Sequence, residues 1–220
     1  MKVFPALILL LLSFSFASGQ NEQSPIVDKD IAYKDWTYSA IKGDGKTNLR
    51  EFAKGKKLVL VVYWAPWCGN WKHDVAFVQG LHDKYKDKGL AVIGVGEYDT
   101  VEKMRKHVDE YKLSFPLVYE SDNTLAREKT VHFALRREAG DTRKWGSPWY
   151  VFLEPGQLEK NGELLTKRTT LVNGELIQPD AEKYIREKLG LTGGASSVSA
   201  KKDEIEACDP EKKTTALVKP

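Results

Sequence analysis

The chain has 220 residues, of which 41% are hydrophobic and 30% charged, an ordinary globular composition that excludes wholesale disorder and a multi-span membrane protein. A net charge of +3, from 34 basic and 31 acidic residues, gives no electrostatic reason to expect nucleic acid. Two cysteines, Cys68 and Cys208, are too few for a cysteine zinc cage or a disulfide-dense miniprotein.

The N-terminus reads as a secretory signal. Lys2 is followed by the apolar run Leu7 to Leu12, then Phe14 and Phe16, then the small residues Ala17-Ser18-Gly19. Residues 1–19 are expected to be removed before Gln20. The run is short for a bilayer span, and no basic stop-transfer cluster follows it. We therefore expect a secreted or periplasmic protein without stable membrane insertion after cleavage, in a compartment where disulfides persist.

Residues 20–34 are polar and predict a loose leader. Trp36 to Ile41 alternates apolar and polar residues before the turn Lys42-Gly43-Asp44-Gly45-Lys46, the pattern of an edge hairpin. Leu58 to Trp64 is a continuous β-branched and aromatic run, suited to a central strand buried on both faces. Val75, Val78, Leu81 and Tyr85 recur at helical spacing over residues 69–87, and Gly89 stops that helix. Leu90 to Val95 predicts a second buried strand, parallel to the first because a helix separates them.

An amphipathic helix follows over 100–112, then an extended piece over 115–119. Residues 124–144 are charged and partly helical. Pro148 opens a strand over 149–154, Asn161-Gly162 precedes another over 164–172, and a helix over 180–189 closes the domain at Gly190. Residues 191–220, rich in Ala, Ser and Lys, predict a flexible tail.

The chemically informative segment is Trp64-Ala65-Pro66-Trp67-Cys68-Gly69-Asn70-Trp71-Lys72. A buried strand delivers Cys68 to the first turn of a helix. There the free backbone N–H groups and the helix dipole stabilise a thiolate, the attacking form in disulfide exchange. From these residues alone, Cys68 reads either as such a nucleophile, partly exposed and acidic, or as a small buried hydrophobe.

Taken with Gly55-Lys56, Lys88-Gly89-Leu90, Ser147-Pro148 and Asn161-Gly162-Glu163, this loop resembles the thioredoxin superfamily. The nearer likeness is to its secreted TlpA/ResA-like thiol–disulfide oxidoreductases. The resemblance covers residues 35–190 and implies an α/β fold: a three-layer sandwich, its mixed central sheet covered by helices on both faces. It implies an active-site loop of Pro66, Trp67, Gly69, Asn70 and Trp71 around Cys68, and no cofactor. Its partners would be a disulfide- or thiol-bearing protein or a small thiol. Asp74, six residues after Cys68, matches in type an acid that relays protons in these relatives; an exposed helix aspartate is the alternative. Pro148 matches a cis-proline that presents backbone to substrate, so Pro148 and Trp149 are candidate substrate-binding residues.

Trp71 departs from the family pattern. It stands where the family has a second cysteine, so no disulfide can close within the loop. Ala76 stands where relatives carry a helix-kinking proline. Trp67, Trp71, Trp145 and Trp149 are expected to ring Cys68 with an aromatic surface. A monothiol oxidoreductase and a redox-inactive binding or scaffolding protein with that Trp-rich surface are the two functional readings. Cys208, in the tail, is expected to be free or intermolecularly paired rather than bridged to Cys68.

The remaining signals are weak. The four histidines show no metal-ligand spacing, so no metal is expected. Gly94-x-Gly96 lacks the third glycine of a dinucleotide fingerprint. A peroxiredoxin pattern asks for a hydroxyl residue three before its cysteine, and Ala65 stands there.

Overall fold

A computed structural model describes residues 22–191. The proposed signal segment, most of the tail and Cys208 lie outside these residues. The first half of the chain contains β1 (Gln23–Ser24), β2 (Val27–Lys29), β3 (Tyr33–Lys34), β4 (Thr37–Ala40), β5 (Lys46–Asn48), α1 (Leu49–Ala53), β6 (Leu58–Trp64), α2 (Gly69–Tyr85), β7 (Leu90–Gly96) and α3 (Val101–Glu110). The second contains β8 (Leu117–Tyr119), α4 (Val131–Glu138), β9 (Trp149–Leu153), β10 (Leu164–Thr166), β11 (Thr169–Val172), β12 (Glu175–Leu176) and α5 (Gln178–Lys188).

The eight-stranded main sheet runs β2-β11-β9-β6-β7-β8-β4-β5. β6 lies at its centre, parallel to β7 from Leu58 opposite Leu90 to Trp64 opposite Gly96, and antiparallel to β9. All seven β6 residues are buried. Their period of two divides them between two cores. Leu58, Leu60, Val62 and Trp64 meet Val75, Val78 and Leu81 of α2, Met104 of α3 and Ile185 of α5. Val59, Val61 and Tyr63 meet Leu49 of α1, Leu135 of α4 and Tyr33 on the other face. The result is a mixed sheet between two helical layers.

The helix ends follow ordinary capping chemistry. The Thr100 and Thr130 hydroxyls accept from the backbone N–H groups of Lys103 and Phe133, starting α3 and α4. Gly94 and Gly96 serve packing. A Cβ on Gly94 would lie 2.7 Å from a Leu117 methyl, and one on Gly96 would lie 2.6 Å from Met104 Sδ.

Two expectations are corrected. Residues within 20–34 form strands rather than a loose leader: β2 adds to the main sheet beside β11, and β3 pairs with β10. Their side chains contribute as well, since Ile31 and Tyr33 are buried. The single strand over 164–172 is broken in two. The Thr166 hydroxyl accepts from the Arg168 N–H and donates to the Arg168 carbonyl, turning the chain between β10 and β11. The two halves consequently join different sheets.

Candidate active site

The C-terminal end of β6 feeds a tight turn in which the Cys68 N–H donates to the Ala65 carbonyl at 3.1 Å. Cys68 is the N-cap of α2, extended at φ −74° and ψ 121°, and its carbonyl accepts from Lys72 N at 3.1 Å. No acid lies in the first turn of α2, so the positive end of the helix dipole stays uncompensated there.

Ser147 binds this turn from the neighbouring loop. Its hydroxyl accepts from Ala65 N at 3.0 Å, and its carbonyl oxygen lies 3.1 Å from Cys68 Sγ. The Ser147–Pro148 peptide bond is cis. Two arginines and one aspartate hold the loop. Arg143 donates to the Pro148 carbonyl at 3.2 Å, and the Asp141 carboxylate pairs with both Arg143 (2.6 Å) and Arg136 (3.1 Å). The guanidinium of Arg136 occupies the space beside Gly146: a Cβ there would fall 2.0 Å from Arg136 Nη1. Gly146 has φ +61°, a conformation that glycine adopts at little cost.

Cys68 itself corrects the sequence expectation. Its side chain has no exposed surface, and its sulfur is in a disulfide. The rest of the loop is also largely enclosed: Pro66, Asn70 and Trp71 are buried, while Trp67 and Gly69 are half-buried.

Asp74 is fully buried, so the exposed-aspartate alternative fails. Its Oδ2 accepts from Tyr150 Oη at 2.7 Å and from Leu176 N at 2.8 Å. Its Oδ1 lies 3.3 Å from His73 Nδ1 and 3.4 Å from Gln178 Nε2. Strand β9, the start of α5 and α2 itself therefore converge on one carboxylate. The His73 pKa is raised by its hydrogen bond to Asp74, against the opposing effect of burial. Burial, then the adjacent Asp74 charge, push the Tyr150 phenol well above its ordinary value.

The four indoles do not form one exposed aromatic surface: Trp71 lies in the same core as Cys68, and Trp149 lies in the core of the opposite face. Trp71 is fully buried, and its Nε1 donates to His107 Nε2 at 2.9 Å. It packs against Trp64 with centroids 5.9 Å apart. Trp149 is fully buried on the other face of the sheet, against Tyr63 and His132, and its Nε1 donates to Asn173 at 2.6 Å. Its side chain is therefore a core element. The physical reason is the pleat: β9 alternates its side chains between the two cores, leaving neither face wet. Trp67 alone stays half-buried, edge-on to Trp145 at 5.3 Å, with its N–H on the Tyr98 carbonyl. Pro148 is buried as well.

Sequence reasoning passed over His73, Tyr150 and Glu175. Only one sign of Glu175 was available, a second Asn-Gly-Glu at 173–175 between apolar runs. Gly174 there has φ +152°, and a Cβ would lie 2.1 Å from the Glu22 carbonyl oxygen. Among the described residues, no three His, Cys, Asp or Glu side chains converge as a metal-ligand set.

Comparison with known proteins places this geometry in a family. The chain is 26% identical over 192 residues to a thiol-disulfide oxidoreductase ResA of Oceanobacillus iheyensis, covering 84% of this chain and 88% of that one. It is 31% identical over 128 residues to the thioredoxin-like protein YneN of Bacillus subtilis, covering 54% of this chain and 72% of that one. The solution structure of a thiol:disulfide interchange protein from a Bacteroides species superimposes with a TM-score of 0.52 at 17% identity, over 74% of this chain and 90% of that one, a likeness of fold. The sequence profile of the AhpC/TSA family matches residues 31–172, from the start of the second core through β11, and the chain accordingly belongs to the AhpC/TSA family, with a thioredoxin-like fold.

Proposed function

We propose that the protein is an extracytoplasmic thiol–disulfide oxidoreductase whose reactive sulfur is Cys68, acting on a disulfide- or thiol-bearing protein or a small thiol. The observation that carries this reading is the seating of Cys68. It caps a helix of 17 residues, and its sulfur lies against the Ser147 carbonyl. A thiolate at that point lies at the positive end of the helix dipole, which lowers its proton affinity, while the Ser147 carbonyl oxygen acts in the opposite sense. The names of the ResA and YneN relatives agree in class. The short apolar run ending at Ala17-Ser18-Gly19 supports export, as does its brevity for a membrane span.

In the forward step the Cys68 thiolate attacks one sulfur of a partner disulfide. The new Cys68–partner S–S bond forms as the old one breaks, and the other partner sulfur leaves as a thiolate that takes up a proton. A second thiol, deprotonated, then attacks Cys68 Sγ: its bond to Cys68 forms as the Cys68–partner bond breaks, and the partner sulfur leaves as a thiolate that takes up a proton. Trp71 occupies the loop position that would supply this thiol, so it must come from outside the loop. The sequence holds one other cysteine, Cys208, which lies outside the described residues. Asp74 is the acid best placed in α2 to exchange protons with this chemistry, and Pro148 contributes through its backbone.

The complete burial of Cys68 favours a second reading, a binding protein that does not turn over. Reduced protein challenged with a disulfide-bonded peptide separates the two. An oxidoreductase forms a mixed disulfide on Cys68 that thiols release, and Cys68→Ser abolishes it; a binding protein forms none. Peptide mapping without reductant identifies the partner sulfur of Cys68.

A further inference from the structure

Glu175, in β12, is a fully buried carboxylate, and among the described residues neither of its oxygens accepts a hydrogen bond. Burying a carboxylate without donors is costly, so such a group keeps its proton or finds a cationic neighbour. The nearest cation is His73, whose Nδ1 lies 3.7 Å from Glu175 Oε2 and 3.3 Å from Asp74 Oδ1. One imidazole nitrogen thus stands between two buried carboxylates. The His73 side chain keeps 17% of its surface exposed, which gives the group a route to solvent protons.

We propose that Glu175, His73 and Asp74 form one shared proton store against the helix that begins at Cys68, with Glu175 the positioning residue that sets the charge carried by the His73 imidazole between the two carboxylates. This rests on the oxidoreductase reading for its purpose, but not for its existence. The surroundings favour titration near neutrality. Burial first, then the Asp74 charge, push Glu175 up to about 7, while His73 and Arg143 act in the opposite sense. The groups facing it are His73 and Asp74 from α2, Glu22 from the segment before β1, Arg143 from the loop before β9, and, around Asp74, Tyr150 and Gln178. Glu175 therefore changes charge within the range where a thiol at a helix N-terminus changes its own. Glu175 and the His73 imidazole, 3.7 Å apart, release their protons as a coupled pair. A thiol proton passed into the store leaves the thiolate on sulfur and adds one proton to the three groups together.

The test compares the full-length Cys208→Ser protein, reduced with dithiothreitol, with and without Glu175→Gln. NMR follows the His73 imidazole against pH, and iodoacetamide alkylation follows Cys68. In E175Q the His73 midpoint should fall, by up to about one pH unit as for directly coupled groups. The alkylation midpoint should also fall, with the curve becoming a single step. Either curve remaining at its original position overturns the proposal. If E175Q does not fold, the carboxyl 13C signal of Glu175 in the wild-type protein decides: a midpoint near 7 supports the store, and the ordinary 4.5 overturns it. Both shifts intact without any disulfide exchange would sink the oxidoreductase reading alone.

Discussion

The phenol of Tyr150 donates to the carboxylate of Asp74 at 2.7 Å, across the interface between β9 and α2. Both residues are fully buried. The bond ties the strand that follows Ser147–Pro148 to the helix that starts at Cys68, so the two segments flanking the sulfur share a single buried polar joint. Tyr150→Phe removes the donor and should cost about 1–3 kcal/mol, because a buried acceptor loses a partner. Asp74→Asn should cost at least as much, since its amide turns a donor toward groups that are themselves donors. Urea unfolding measures both. An unchanged midpoint in either variant would mean that the joint contributes nothing.

Trp71 carries the second prediction. Its indole fills the space beside Trp64 and His107, so Trp71→Cys should not simply restore a two-cysteine loop. A large-to-small change at a fully buried indole should destabilise by about 3–5 kcal/mol. Trp71→Phe keeps most of the volume and loses the bond to His107, so its cost should stay near 1–2 kcal/mol. Equal stability of W71C and the parent protein would show that the core collapses around the gap.

His107 makes stability depend on acid. Burial first, then the nearby Lys72 charge, lower its pKa from 6.5 to about 4. The neutral ring accepts the Trp71 N–H in the folded state. Between those two values the unfolded chain binds the extra proton, so the contribution is complete above pH 6.5 and is lost as pH falls toward 4. The slope from this residue should approach about 1.4 kcal/mol per pH unit. His107→Gln keeps an acceptor at the Nε2 position without titrating, so its stability profile should be flatter in this window. Parallel profiles for the two proteins would dismiss the effect.

Gly146 is the fourth test. An alanine there meets Arg136 Nη1 at 2.0 Å and must also hold φ +61°. Accommodating it displaces a buried guanidinium from Asp141, and breaking such a pair commonly costs about 3–5 kcal/mol. Gly146→Ala should therefore destabilise by more than about 2 kcal/mol and weaken mixed-disulfide formation at Cys68 through the Ser147 loop. Gly140→Ala is the control, with a positive φ of 84° but no atom within 4 Å of its Cβ. Equal losses in the two variants would leave backbone strain as the whole cause.

Local pattern made the centre of the fold legible. The seven-residue apolar run of β6, the second run at β7 and the helical spacing between them specify a buried parallel pair, because continuous apolar strands have no wet face. The Trp-Ala-Pro-Trp-Cys-Gly loop marked where that pair meets a helix N-terminus. The edges were less legible. Residues 23–34 carry too few apolar side chains to announce strands, and their pairing partners lie more than a hundred residues away, in β10, β11 and β12. Such pairing is decided by sheet edges left open elsewhere.

By itself, then, the sequence determined the strand–helix–strand unit, the position of Cys68 at the start of α2 and the absence of a second loop thiol, since all three follow from contiguous residues. Tertiary structure alone decided which side chains face one another. It put Trp71 and Trp149 into the two cores on opposite faces of one sheet. It closed the loop over Cys68, and it brought Glu175 to within 3.7 Å of His73 from a hundred residues away. Burial and charge coupling depend on distances across the chain, and no local periodicity encodes those distances.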